Sequence, residues 1–128
     1  MSGPKYSGFL PGRHVIEGYG NFGFTFGGMS HRGSILALPS GIYAWDVLGP
    51  EDLGVGALAQ VFAEPKGEIE HLLIGTGVEL RPLAKELRAA LNRDGIRVEP
   101  MATGAAARTY SILLGENRRV AAALIAVA

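Results

Sequence analysis

The stretch Glu70-His71-Leu72-Leu73-Ile74-Gly75-Thr76-Gly77 decides the fold. A short apolar run closes on a Gly-Thr-Gly turn, and a segment with helical spacing opens near Pro82. A continuous apolar run of this length, bounded by turn residues, suits a strand buried on both faces, and such strands belong to parallel sheets covered by helices. The turn then delivers a loop to the edge of an α/β sheet.

Toward the C-terminus the pattern repeats. Leu83, Leu87 and Leu91 recur at i, i+4 and i+8, forming one apolar stripe; Pro82 opens that helix, and Gly95 after Asp94 stops it. Ile96 to Pro100 reads as the next strand. Thr103 then fits as the N-cap of a helix with Ala107, Tyr110 and Leu114 on one face and Gly115 as its stop. Residues 119–127 close the chain as a strand that is apolar on both sides, which places it in the middle of a covered sheet.

Upstream, Pro50 and the acidic pair Glu51-Asp52 suit a helix start, and Leu53, Ala57, Leu58 and Val61 follow at helical spacing. The helix expected over residues 50–62 contains Gly54 and Gly56, each about 1 kcal/mol less favourable than Ala. Before it, four β-like runs cover residues 14–19, 22–26, 34–38 and 42–47, with Phe22, Phe24 and Phe26 at period two and a Pro39-Ser40-Gly41 turn. Residues 1–12, broken by Gly3, Pro4, Gly8, Pro11 and Gly12, read as a flexible arm, and residues 13–128 as one domain. A β-meander, a helix, then β-α-β-α-β predicts a layered α/β domain with the meander packed on or extending the sheet.

Composition narrows the function classes. A chain of 128 residues is one domain that buries roughly two-thirds of its unfolded surface. Without cysteine there are no disulfides, thiolate metal sites or cysteine nucleophile. Lysine plus arginine balance aspartate plus glutamate at 12 each, which lacks the electrostatic footprint of a nucleic-acid binder. His14, His31 and His71 have no second ligand at metal-binding spacing, so neither a metal nor another cofactor is expected. The N-terminus carries no signal or transit pattern, and the apolar run from Val120 to Ala128 is too short for a membrane helix, so a cytoplasmic protein is expected.

Two glycine motifs compete for attention. Gly18-Tyr19-Gly20-Asn21-Phe22-Gly23 matches G-x-G-x-x-G by letter, yet a strand follows it rather than a helix, so a tight turn explains it better than a phosphate site. Gly75-Thr76-Gly77 has the right context, strand then loop then helix, but Leu80 replaces the third glycine. If the two βα units are adjacent, the loop at Met101 to Gly104 shares its sheet edge, and Gly75, Thr76, Gly77, Thr103, Gly104 and Arg108 form a candidate site for a small anion or a partner's carboxylate. No catalytic constellation is evident: Ser30 lacks the closing glycine of a nucleophile elbow, and Trp45 suits a core or an interface.

Ile16 to Gly20, Gly33 to Leu36, Trp45, Leu73 to Gly77, Glu99 to Tyr110 and Arg118 to Leu124, taken in that order, carry a family likeness. Through them the chain resembles the Mth938-like family, a domain of unknown function that includes a mitochondrial complex I assembly factor. It implies a three-layer α/β fold with a central mixed sheet, and no established catalytic residues. By the same resemblance, the expected function is a non-enzymatic binding protein, an assembly factor or scaffold for respiratory complex I in a bacterium. Its partners would be respiratory complex subunits or another assembly factor, reached at the inner membrane through that partner. The alternative is a small-molecule or anion-binding protein, or an enzyme, using loops 75–77 and 101–108; a self-associating structural domain is the third reading.

Overall fold

The computed structural model describes residues 8–128. In chain order the strands are β1 (Phe9–Pro11), β2 (Gly18–Gly20), β3 (Gly23–Phe26), β4 (Met29–Arg32), β5 (Ser34–Leu38), β6 (Gly41–Trp45), β7 (His71–Gly75), β8 (Arg97–Met101) and β9 (Val120–Leu124). The helices are α1 (Ala59–Ala63), α2 (Lys85–Arg93) and α3 (Thr103–Gly115). Six strands form one sheet in the order β1-β6-β5-β9-β7-β8, and β2-β3-β4 form a second, smaller sheet.

The doubly apolar C-terminal strand lies in the interior of the large sheet, as its composition demands. β9 pairs parallel with β7 and antiparallel with β5, which makes the sheet mixed. Alternate residues of each central strand point to opposite faces. Leu36, Leu72, Ile74, Ala121 and Ala123 pack with Val61, Leu87 and Leu91 of α1 and α2. Ile35, Ala37, Leu73, Ala122 and Leu124 pack instead with Phe24, Phe26, Ala106 and Tyr110, so α3 and the small sheet cover the other face. These are three layers of one α/β domain, and burial of each large aliphatic side chain contributes about 1.5–3 kcal/mol. The meander does both things open to it: β5 and β6 extend the large sheet, while β2 to β4 pack on its face.

Several expectations change. The helix over residues 50–62 is broken into two 3-10 turns, Pro50–Asp52 and Gly56–Leu58, ahead of the five-residue α1. Gly54 and Gly56 weaken the helix there, and the Trp45 indole N–H donates to the Ala57 carbonyl at 2.7 Å, holding the segment from outside. α2 begins at Lys85 rather than Pro82, because Ala84 is still extended at φ −60°, ψ 144°. Gly115 is the last residue of α3, and the left-handed position that reverses the chain is Asn117 at φ 62°. β4, Met29-Ser30-His31-Arg32, was not expected, having no apolar run to mark it. Of the arm expected over residues 1–12, residues 1–7 lie outside the described part of the chain; Phe9–Pro11 is an edge strand paired with β6.

Candidate functional site

β7 and β8 are adjacent and parallel with Gly75 opposite Met101, so the loops after them leave the same sheet edge side by side. There they tie to one another. The Thr76 N–H donates to the Met101 carbonyl and the Thr103 N–H to the Gly77 carbonyl, both at 2.8 Å. The Thr76 hydroxyl shares its proton between the Glu79 and Met101 carbonyls, at 2.8 and 3.1 Å, and accepts the Arg81 N–H at 3.0 Å. The Thr103 hydroxyl donates to the Ile125 carbonyl at 2.7 Å and accepts the Gly77 N–H at 3.1 Å. Thr76 and Thr103 are 1% and 0% exposed, so these hydroxyls hold the edge together from inside.

Thr103 is therefore not the N-cap that its sequence context suggests. The N-cap is Ala102, which makes no side-chain cap bond, and Thr103 is the first helical residue with its hydroxyl turned to the chain leaving β9. The close approach also explains Gly75, where a Cβ would lie 2.9 Å from Thr103 Cα.

Of the six candidate residues, Gly75, Thr76, Gly77 and Thr103 are brought together, with Gly104 next along α3. Arg108 stands elsewhere, on the face of α3 that borders a groove of about 580 Å³ between that helix and residues 15–19. At one end of the groove the Tyr19 phenol lies over Gly104, where a Cβ would overlap the phenolic oxygen. Further along, the Ile16 N–H donates to the Ser111 hydroxyl at 2.9 Å. The wall formed by residues 15–19 was missed in the sequence, because Gly18 to Gly20 open the glycine motif read there as a turn and nothing in the motif marks a groove. The glycine motif beside it is a tight turn with positive φ at Asn21 (50°) and Phe22 (58°).

Close to the Thr76 loop, large apolar side chains stay in water. Leu48 is 84% exposed, and Val78, Leu80 and Phe22 are also exposed. Leu48, Val78 and Phe22 border a recess of about 340 Å³ that also takes in Ile125 to Ala128. Elsewhere, burial pushes the His31 imidazole pKa down against a smaller upward pull from its hydrogen bond with the Ser34 backbone. Among the described residues, no group of three His, Asp or Glu side chains is placed to hold a metal ion, and no helix is long and apolar enough to cross a membrane.

Residues 16–125 match the family model described as a protein of unknown function (DUF498/DUF598), and the chain belongs to that family. It is 39% identical to an uncharacterized protein of Rhodobacter capsulatus, over 95% of this chain and 89% of that one. It is 37% identical to the NADH dehydrogenase [ubiquinone] 1 alpha subcomplex assembly factor 3 of Danio rerio, over 87% of this chain. The match covers 63% of that assembly factor, so the chain spans a little under two-thirds of its length. Among solved structures, a protein of Bartonella henselae described as an outer membrane protein is 51% identical, with 93% and 99% of the two chains covered and a TM-score of 0.88. An Mth938-like domain from Bordetella pertussis is 31% identical, with 88% and 85% covered and a TM-score of 0.76. The fold is Mth938-like.

Proposed function

We propose that this member of the DUF498/DUF598 family is a non-enzymatic binding protein that takes part in assembling respiratory complex I. It would bind complex I subunits or a second assembly factor, working in the cytoplasm and reaching the inner membrane through its partner. The observation that carries this reading is the likeness to assembly factor 3, which extends over 87% of the chain. The surface supports it. The threonine hydroxyls at the sheet edge are committed to holding the loops, whereas Leu48, Val78, Leu80 and Phe22 face water nearby. Exposed apolar side chains gathered at one end of a sheet suit contact with another protein.

Deleting the gene tests the reading. NADH:quinone oxidoreductase activity and the amount of assembled complex on a native gel should both fall, and return when the gene is restored. Normal complex I in the deletion strain would overturn it.

A further inference from the structure

We infer that the groove between β2 and α3 is a docking site for an extended segment of a partner protein, which adds as a strand to the free edge of β2 and sets an acidic side chain against Arg108. The inference rests on the binding-protein reading and adds to the exposed Leu48, Val78, Leu80 and Phe22 a second surface, with the chemistry of the segment it takes.

The hairpin register leaves the edge open. β2 and β3 join through the two-residue turn Asn21-Phe22, with Gly20 opposite Gly23 and Tyr19 opposite Phe24. In such a hairpin the pair flanking the turn is hydrogen bonded and the next pair is not, so the Tyr19 N–H and C=O point away from β3. Below it, the Glu17 N–H donates to the Thr25 carbonyl at 2.8 Å although Thr25 stands opposite Gly18. Two residues facing one is a bulge, and it turns the backbone of Ile16 outward as well. α3 already serves Ile16: Ser111 accepts its N–H at 2.9 Å and donates to its carbonyl at 3.4 Å. The helix thus stands in for a strand at Ile16 and leaves Tyr19 unserved, with no main-chain partner outside the β2–β3 pairing among the described residues.

The edges of the large sheet are blunted and this one is not. β8 carries Arg97, Glu99 and Pro100, and β1 carries Pro11, the charges and prolines that discourage strand addition. β2 is Gly-Tyr-Gly, with no charge, no proline and a glycine on each side of Tyr19. An incoming strand bonds main chain to main chain and sends alternate side chains into the groove.

The groove also states what those side chains should be. Ile16 and Ala107 make it apolar along its length, while Glu17 and Arg108 stand in it with no ion pair among the described residues. A segment with an acidic residue at Arg108 and a basic one toward Glu17 complements both charges. An apolar metabolite would leave the Tyr19 main chain unpaired, whereas an extended peptide brings a C=O and an N–H at strand spacing, which is why a peptide is the occupant inferred.

The test is a selection of twelve-residue random peptides displayed on phage against the full chain, followed by synthesis of the enriched sequence. Enriched peptides should share an acidic residue, and adding one should slow amide hydrogen exchange at Tyr19 by about tenfold or more, read by NMR. Arg108→Glu, a change on an exposed residue, should weaken binding by about tenfold, and Lys in place of the peptide's acid should recover it. No enrichment, protection at β1 or β8 instead of Tyr19, or equal binding to Arg108→Glu would overturn the inference; so would a groove that takes only small molecules. Complex I levels in the deletion strain do not enter this test, so either reading can fail without the other.

Discussion

The Thr103 hydroxyl donates to the Ile125 carbonyl at 2.7 Å, tying the first residue of α3 to the chain that has just left the central strand. The same oxygen accepts the Gly77 N–H at 3.1 Å, so one side chain links the ends of three neighbouring strands. Thr103→Val keeps the shape and strands a buried carbonyl and an N–H, which should lower stability by about 2–4 kcal/mol. Thr103→Ser keeps both bonds and should stay within about 1 kcal/mol of the parent. Thr103→Asp separates the two roles: aspartate is a preferred N-cap, yet a carboxylate has no proton for Ile125 and would be buried as a charge. Urea unfolding should rank Ser above Val and Val above Asp; Asp equal to Ser would restore the capping role.

Two glycines beside that link should answer alanine differently. At Gly75 a Cβ meets the Thr103 backbone at 2.9 Å and Leu124 at 3.1 Å, both in the core, so Gly75→Ala should cost about 2 kcal/mol or more. At Gly104 the obstacle is the end of the Tyr19 side chain, which is 49% exposed and free to swing aside. Helix propensity gains about 1 kcal/mol there, so Gly104→Ala should fall within about 1 kcal/mol of the parent. Melting temperatures check both, and a shared large loss would show that Tyr19 is fixed in place.

What the sequence discloses and what it hides follow from where the information sits. β7, β9 and the Leu87–Leu91 stripe of α2 announce themselves because each repeats a burial requirement residue after residue. β4 hides because Met-Ser-His-Arg is half exposed and has no apolar period. Thr103 misleads because a threonine before an alanine-rich helix satisfies the local rule, whereas its real partner, Ile125, lies 22 residues on. The shared edge of loops 75–77 and 101–104 was legible from strand order, but the removal of Arg108 to another groove was not. That groove's other wall is residues 15–19, and the main-chain groups it offers at Ile16 and Tyr19 leave no trace in composition.

Tyr110 gives the fold an alkaline limit. Its phenol is pushed up to about 12 by burial, with Arg13 pulling weakly the other way. A phenol whose folded pKa lies above its unfolded value of about 10 holds its proton more tightly when folded. The stabilisation is therefore complete below pH 10 and drains away as pH rises from 10 to 12, on the order of 3 kcal/mol in all. Tyr110→Phe cannot ionise. Its stability measured across pH 9 to 12 should decline less than that of the parent, and parallel curves would place the alkaline loss elsewhere.

Phe22 combines strain with exposure. Its φ of 58° is a left-handed conformation that a bulky L-residue adopts at a cost of about 1–2 kcal/mol, and its ring is 56% exposed. The backbone is held there from both sides: its N–H donates to Val127 and its carbonyl accepts from Gly33, each at 2.7 Å. Phe22→Gly relieves the strain without touching either bond, offset in part by the added freedom of glycine in the unfolded chain. The melting temperature should stay level or rise by an amount worth up to about 1 kcal/mol. If the ring earns its place by meeting a partner beside Leu48 and Val78, the same substitution in the cell should reduce assembled complex I while the protein itself accumulates normally. Strain retained at an exposed position is then a functional compromise. A variant that is less stable than the parent would make the ring a structural element instead, and one that is more stable with full complex I would show that the partner does not touch it.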